Sequence, residues 1–293
     1  MIAKRRSGSG RTDGVRSSGK RVVGFVGGGN MATALIKGLL AAGLYRSDQL
    51  WASDVDTAKL AALRRRFTIG TTGDNAALVR DSRVVVIAVK PQIIDTVMAE
   101  MRPAVTPKPL FLSIAAGVTT ARLEAGLGTG ARVLRVMPNT PALLGKGMSV
   151  LVRGRWATGA DERLGLRVLR AVGAAVAVQD ERLLDAVTGL SGSGPAYVYR
   201  FAEGLVAGGV AAGLPAALAA QLALQTIAGA AAMLQETGET PEALRAMVSS
   251  PGGTTLAGLG ELERRGFKDA VAAAVITATR RSQELGRGAA GSR

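Results

Sequence analysis

A run of small and hydroxyl residues near the carboxyl end, residues 249–255 (Ser-Ser-Pro-Gly-Gly-Thr-Thr), has the composition of an anion-binding helix start. Pro251 suits the first turn of a helix, where its missing N–H costs nothing, and Ser249 and Ser250 before it are good capping residues. The glycines leave the backbone bare, so the first amides of the helix can approach a carboxylate closely. Thr255, one turn into the predicted helix, adds a hydroxyl that can donate or accept a hydrogen bond. The residues alone also allow an ordinary capped helix after a loop.

The amino-acid composition narrows the chemistry that such a site could perform. The chain contains no histidine and no cysteine. Their absence removes the usual zinc and iron ligands, and it excludes Ser-His-Asp and Cys-His catalysis. We therefore expect no metal site. The chemistry must depend on a cofactor, on carboxylates, on lysine, tyrosine, serine or threonine side chains, or on backbone amides.

A glycine-rich turn near the amino end indicates a dinucleotide site. It follows a predicted strand, Arg21–Val26, and opens a predicted helix, Asn30–Ala42. Residues 27–32 read Gly-Gly-Gly-Asn-Met-Ala, which is G-x-G-x-x-A with alanine in place of the third glycine. Gly27 permits the tight turn and Gly29 lets the backbone approach a pyrophosphate, while the alanine lets helix and strand pack closely.

An acidic residue follows the second predicted strand, Gln49–Ser53. There Asp54 would hydrogen-bond a ribose 2′-hydroxyl, which favours NADH. Ser53 and Lys59 could instead bind the 2′-phosphate of NADPH. A third interpretation is that Asp54 only caps the next predicted helix, Thr57–Arg66.

A lysine follows the apolar run Val84–Val89, whose β-branched residues are typical of a strand buried on both faces. In Ala88–Pro91 this strand reaches its carboxyl end, the edge at which doubly wound sheets bind ligands. Lys90 could contact a cofactor phosphate or hydroxyl there, or it could be a solvated residue at the end of a strand.

Alternating strands and helices in the first half of the chain must position these residues. Further short apolar runs are Leu110–Ser113, Arg132–Val136 and Ser149–Val152. After about Asp180 the β-branched runs stop and helices dominate. The pattern predicts an α/β fold, with an N-terminal Rossmann-type doubly wound, mostly parallel sheet over residues 21–180 and an all-α domain over residues 181–293.

An uncharged segment, Gly204–Gln235, could be mistaken for a membrane span. It is rich in alanine and glycine, and Gly213–Pro215 interrupts it, so we expect two buried helices and no membrane span. Small residues recur four apart at Gly204, Gly208 and Ala212. A helix that is apolar all round must be buried on most sides, which the core of a dimer would provide.

The net charge of +15 raises the question of a nucleic-acid partner. Residues 1–20 hold six Lys/Arg and one Asp, and they are predicted to form a disordered basic tail. Elsewhere arginine is spread without a basic stripe, and aromatic residues for base stacking make up only 3% of the chain. We therefore expect no nucleic-acid partner. Because the tail has no apolar signal-peptide core, we expect a cytoplasmic protein.

The chain resembles the pyrroline-5-carboxylate reductase family in six segments that occur in the same order. These are Val26–Met31, Ala88–Pro91, Ser113–Val118, Met137–Pro141, Asp185–Tyr197 and Ser249–Thr255. The match runs from about Arg21 to Leu285. The segments around Ser191 and at residues 249–255 are the most specific to this family.

The resemblance implies reduction of L-1-pyrroline-5-carboxylate to L-proline by NADPH or NADH, the last step of proline biosynthesis. Hydride passes to an imine carbon, so the protein mainly positions the reactants. By similarity Thr255 is the catalytic residue and hydrogen-bonds the ring nitrogen. The substrate-binding residues are Val248, Ser250, Gly252, Gly253, Thr254 and Thr255.

The resemblance also implies the cofactor contacts and the assembly. The contacts are Val26, Gly27, Gly28, Gly29, Asn30, Met31, Ser53, Asn75, Ala88, Val89, Lys90, Pro91, Ile114, Ala115 and Ala116. Asp54 beside Ser53 is a departure that a strict NADPH user would avoid. Family members form an interlocked homodimer through the helical dimerisation domain, and five dimers can assemble into a ring.

Two other classes of protein remain open at this point. A related dehydrogenase of the hydroxyacid or prephenate type would share both kinds of domain. It would normally carry a catalytic lysine or histidine in the second one, where Lys268 is the only lysine. A non-catalytic paralogue would keep the fold and lose the substrate loop, and here residues 250–255 are intact.

Overall fold

The computed structural model of the protein describes residues 22–288. The basic tail predicted for residues 1–20 lies outside them. Eight strands of the described chain form one sheet in the order β3-β2-β1-β4-β5-β6-β7-β8. They are β1 (Val23–Val26), β2 (Leu50–Ser53), β3 (Gly70–Thr72), β4 (Val84–Ile87), β5 (Leu110–Ser113), β6 (Arg132–Met137), β7 (Gly147–Arg153) and β8 (Gly173–Val178).

All neighbouring strands run parallel except β6 and β7, which are antiparallel. The three central strands β1, β4 and β5 are buried at every residue, in line with their nearly continuous apolar sequences. Val26 pairs with Ser53 on one side and with Ile87 on the other. The chain order reverses at this point of the sheet, so the carboxyl ends of β1, β2 and β4 border one crevice.

Twelve α-helices accompany the sheet within the described residues. They are α1 (Asn30–Ala41), α2 (Thr57–Phe67), α3 (Asn75–Asp81), α4 (Ile94–Met101), α5 (Thr120–Leu127), α6 (Gly159–Leu169), α7 (Leu183–Val187), α8 (Gly194–Ala211), α9 (Ala216–Glu236), α10 (Pro241–Met247), α11 (Thr254–Arg264) and α12 (Phe267–Gly288). A π-helical segment, Thr188–Gly192, joins α7 to α8. The predicted Rossmann-type α/β fold with a helical C-terminal part is confirmed.

Two hydrophobic clusters fill the two faces of the sheet. Leu35 and Leu39 of α1 belong to the cluster on one face, together with Leu134 of β6. Met98 of α4 and Leu123 of α5 belong to the cluster on the other face. Successive side chains of a strand point to opposite faces, so each buried strand contributes to both clusters. Because both faces of the sheet are packed against helices, the loops at the carboxyl ends of the strands are held in place.

The uncharged segment lies in two helices, α8 and α9, as predicted, but the single chain does not provide the burial that was predicted for them. The chain turns at Gly213, whose φ is 98°, and Pro215 precedes the first residue of α9. In the single chain both helices are largely exposed, and of their residues only Ala219 and Ala223 are buried. By length and composition α9 could cross a membrane, and it is the one such helix among the described residues. Its apolar surface calls for a covering partner.

Candidate functional site

The glycine turn after β1 has different requirements at its first and third glycines. Gly27 has a φ of 100°, and a Cβ atom there would lie 2.7 Å from the carbonyl oxygen of Ala88. Gly29 has an ordinary φ of −73°, and no described atom lies within 4 Å of the position of its Cβ. The fold therefore requires glycine at position 27, whereas the glycine at position 29 leaves the space around its Cβ position unoccupied.

The amino end of α1 is available for an anion. Gly29 is the N-cap residue, no described side chain caps the helix, and its first turn contains no acidic residue. The free amides and the positive end of the helix dipole both favour a phosphate at this place.

A first cavity, of about 430 Å³, opens at the ends of β1, β2 and β4. It brings together nine of the predicted cofactor residues: Val26, Gly27, Gly29, Ser53, Asp54, Asn75, Ala88, Val89 and Lys90. It also includes Lys59 and Glu100. Such a mostly apolar cleft at the reversal point of a doubly wound sheet suits a nucleotide.

Asp54 holds the glycine turn. Its Oδ2 accepts a hydrogen bond of 2.8 Å from the Gly28 amide, and its Oδ1 accepts one of 2.9 Å from the Asp56 amide. The side chain is only 10% exposed, and Lys59 Nζ lies 3.8 Å from Oδ1. Two backbone amides therefore fix this carboxylate in the wall of the first cavity.

The interpretation that Asp54 merely caps α2 is wrong. Asp56 is the capping residue, because its side chain accepts hydrogen bonds from the amides of Ala58 and Lys59. The Lys59 amide lowers the pKa of Asp56 below its ordinary value. The Asp54 side chain therefore binds the glycine turn and lines the first cavity.

Ser53 and Asn75 form part of a polar chain beside Asp54. The buried Ser53 hydroxyl lies 2.6 Å from Asn75 Oδ1. Asn75 Nδ2 donates to Glu100 Oε2 at 2.6 Å. The amide of Asn75 is thus oriented from both ends. Glu100 was missed by the sequence analysis, and its position on α4 gives no local signal for this role.

A second cavity, of about 750 Å³, lies beyond Pro91. Its wall contains the predicted residues Pro91 and Ala116, together with Thr188, Ser193 and Arg281 from the helical part. The last three were not predicted, although Thr188 and Ser193 lie within the family segment Asp185–Tyr197. The other predicted cofactor residues, Gly28, Asn30, Met31, Ile114 and Ala115, line neither cavity.

The loop at residues 249–255 differs from its prediction in one respect. Helix α11 begins at Thr254 with Gly253 as its N-cap, so Pro251 does not lie in the first helical turn. Gly252 has a left-handed φ of 73°, which separates Pro251 from the helix. Thr255 is consequently the second residue of the helix.

The two serines also do not cap α11. Ser249 Oγ donates to the Arg245 carbonyl at 2.7 Å, which ties it to the end of α10. The Ser250 carbonyl accepts a hydrogen bond of 3.0 Å from the Gly253 amide and closes a tight turn. No described side chain caps α11, and its first turn contains no acidic residue. The amides at Thr254 and Thr255 are therefore available for an external carboxylate.

The predicted substrate residues Val248, Ser250, Gly252, Gly253, Thr254 and Thr255 line neither of the two cavities. Val248 is 63% exposed. Within one chain the structure does not bring this loop to the cofactor residues.

Comparison with known proteins identifies the family. A family model for the pyrroline-5-carboxylate reductase dimerisation domain matches residues 181–285, and a model for coenzyme F420-dependent NADP oxidoreductases matches residues 22–117. A pyrroline-5-carboxylate reductase from Methanosarcina acetivorans is 43% identical over 265 residues, which cover 90% of this chain and 98% of the relative. One from Synechocystis is 42% identical with the same coverage. The chain belongs to the pyrroline-5-carboxylate reductase family.

Solved structures agree with this membership. A pyrroline-5-carboxylate reductase from Coxiella burnetii superposes with a TM-score of 0.85 at 34% identity, covering 91% of this chain and 99% of that one. The Plasmodium falciparum enzyme with NADP bound gives a TM-score of 0.81 at 32% identity, covering 91% and 98%. A prephenate dehydrogenase from A. aeolicus shares only the fold, at 15% identity and a TM-score of 0.50. The interpretation as a related dehydrogenase is therefore wrong, and the chain is a pyrroline-5-carboxylate reductase family member.

Proposed function

We propose that this protein reduces L-1-pyrroline-5-carboxylate to L-proline with a nicotinamide cofactor, as the last step of proline biosynthesis. The observation that carries the proposal is the uncapped start of α11. Its first amides follow two glycines and offer a small carboxylate a cradle that no described side chain caps. Steady-state reduction of pyrroline-5-carboxylate, assayed with NADH and NADPH side by side, tests it. No turnover with either cofactor would contradict it, and would favour the non-catalytic paralogue.

In the proposed mechanism the protein mainly positions the reactants. The cofactor, when bound, supplies hydride to the imine carbon. The free amides of Thr254 and Thr255 hold the substrate carboxylate, and Val248, Ser250, Gly252 and Gly253 complete that subsite. The Thr255 hydroxyl forms a hydrogen bond with the ring nitrogen, where charge changes during reduction. Neither a metal nor a histidine is needed for this chemistry.

The predicted cofactor residues would hold the cofactor in the following way. The amino end of α1 at Gly29, with the surrounding turn Val26 to Met31, would bind the pyrophosphate. Ser53, Asp54 and Asn75 would hold the adenosine ribose. The loops Ala88–Pro91 and Ile114–Ala116 would hold the nicotinamide end.

We propose that the protein prefers NADH. The Asp54 carboxylate accepts hydrogen bonds from two amides, so it cannot turn away from a 2′-phosphate without leaving those amides unpaired. A phosphate group beside it would repel this fixed negative charge, whereas a ribose 2′-hydroxyl could donate to it. Lys59 offers partial compensation from 3.8 Å but is half exposed.

Replacing Asp54 with asparagine should shift the preference toward NADPH. The change removes the charge and keeps an oxygen that can accept from Gly28. We expect the ratio of kcat/KM for NADPH to that for NADH to rise by at least about ten-fold. Asp56→Asn, which removes a neighbouring charge from the cap of α2, is the matched control and should leave the ratio unchanged. An unaltered ratio in Asp54→Asn would refute the assignment.

We propose a homodimer in which α8 and α9 of two chains interlock. The support is the exposed apolar surface of these helices, with Leu222 at 48%, Leu224 at 63% and Met233 at 44% exposure. In such a dimer, the loop of residues 248–255 from one chain would meet the cofactor cavities of the other. Five dimers could assemble further into a ring.

We also propose that residues 21–180 and 181–293 act as separate domains. We further propose that the enzyme is cytoplasmic and that neither a membrane nor a nucleic acid is a partner.

Replacing Gly208 with glutamate should disrupt this dimer. The position of its Cβ is free of described atoms within 4 Å, so the single chain can accept the larger side chain. In a dimer core the added charge would be buried without a partner. We expect an inactive monomer or aggregate by light scattering, whereas Gly73→Ala, at an exposed position with no described atom near the Cβ position, should remain a dimer. A wild-type protein that stays monomeric at micromolar concentration would contradict the proposal.

A further inference from the structure

We propose that Glu181 is a positioning residue that holds the loop Ile114–Thr119 in the geometry required for cofactor binding. The inference rests on the proposed function, because it takes Ile114–Ala116 as cofactor contacts. It concerns a residue that the family segments do not include and that touches neither proposed ligand.

Three hydrogen bonds converge on the Glu181 carboxylate. Oε1 accepts from the Thr120 amide at 2.8 Å and from Arg135 Nη1 at 2.9 Å. Oε2 accepts from the Thr120 hydroxyl at 2.7 Å. One side chain thus connects the segment after β8 to the first residue of α5 and to strand β6.

Burial makes this connection hard to replace. The Arg135 side chain is 9% exposed and that of Glu181 is 27% exposed. Within the described residues, Glu181 is the acidic residue that forms an ion pair with Arg135. Loss of the carboxylate would leave a buried guanidinium without its counter-charge, which is strongly unfavourable.

The anchored end of α5 controls the loop that precedes it. The loop leaves β5 at Ser113 and reaches α5 through Gly117, whose φ of 73° gives it a left-handed turn. Ala116, Gly117 and Val118 form part of the wall of the second cavity. Fixing Thr120 therefore fixes the far end of this wall, and small displacements of a positioning element can cost much activity.

The same sheet contains a similar Arg–carboxylate–Thr arrangement that does not touch the loop. Asp161 Oδ1 accepts from Arg132 Nη1 at 2.7 Å, and Oδ2 accepts from the Thr158 amide and hydroxyl at 2.8 Å each. It also joins β6 to the start of a helix, in this case α6. None of its three residues lines either cavity. Asp161 is therefore a matched control for Glu181.

The experiment compares Glu181→Gln with Asp161→Asn in the full-length enzyme. Melting temperature and the KM for NADH are measured for both. We expect both variants to melt at a lower temperature, but only Glu181→Gln to raise the KM for NADH, by about ten-fold. Glu181→Asp, which keeps the charge, should recover part of the loss.

A Glu181→Gln protein with lowered melting temperature and unchanged KM would overturn the inference, as would an equal change of KM in Asp161→Asn. If Glu181→Gln does not fold, Thr120→Val and Thr158→Val replace the pair. Each removes one hydroxyl bond to the respective carboxylate, and only the former should raise the KM. Turnover by the wild-type enzyme distinguishes the two proposals. If the wild type shows no turnover, the proposed function fails. If it does, an unchanged KM in Glu181→Gln contradicts only the role proposed for Glu181.

Discussion

Replacing Gly29 with valine is expected to abolish turnover while the protein remains folded. The position has a φ of −73° that valine adopts without strain, and no described atom lies within 4 Å of the added Cβ. The branched side chain would instead occupy the space at the amino end of α1 that we assign to the pyrophosphate. We expect kcat/KM to fall by more than about a hundred-fold, measured together with NADH binding by fluorescence.

Gly27→Ala provides the contrast for this result. Its φ of 100° and the 2.7 Å approach to the Ala88 carbonyl oxygen mean that even a methyl group must displace the backbone. The Gly27→Ala protein should melt at a lower temperature than the wild type, whereas the Gly29→Val protein should melt at the same temperature. Undiminished NADH binding by a folded Gly29→Val protein would show that the cofactor lies elsewhere.

Replacing Thr255 with alanine should lower kcat and kcat/KM together. A hydrogen bond to a group that carries or gains charge contributes about 1.5–3 kcal/mol, so the loss should be on the order of ten- to a hundred-fold. The KM for NADH should hardly change, because the proposed hydrogen bond of Thr255 is to the ring nitrogen of the substrate and not to the cofactor.

Thr255→Ser separates catalysis from stability. Serine keeps the hydroxyl, so this variant should retain most of the activity. If the threonine only stabilises the start of α11, both variants should instead show a lower melting temperature with near-normal turnover. That outcome, or a serine variant as impaired as the alanine variant, would remove Thr255 from the proposed mechanism.

The central strands could be predicted from sequence, because a strand buried on both faces must be apolar at nearly every residue. β3 and β8 could not. The sequence of β3 is only Gly-Thr-Thr, and β8 is largely alanine and valine with several half-exposed residues. Their pairing depends on the neighbouring strands β2 and β7. Tertiary context determines such edge strands more than local preference does.

The candidate site likewise contains residues that could be predicted from sequence and residues that could not. The glycine turn could be predicted because its function depends on consecutive residues in one turn. The start of α11 was misplaced by three residues, since nothing local reveals that Gly252 is left-handed and delays the helix. Glu100, Thr188 and Ser193 were missed because they meet the other residues only through folding.

The separation of the loop 248–255 from the cavities of its own chain has a genetic consequence. If each site combines the nucleotide cavity of one subunit with the loop of the other, two different inactive chains can restore one another. A mixed dimer of Gly29→Val and Thr255→Ala chains would contain one site with both defects and one site with neither. Two alleles that are each impaired alone would therefore complement one another when they are expressed in one cell.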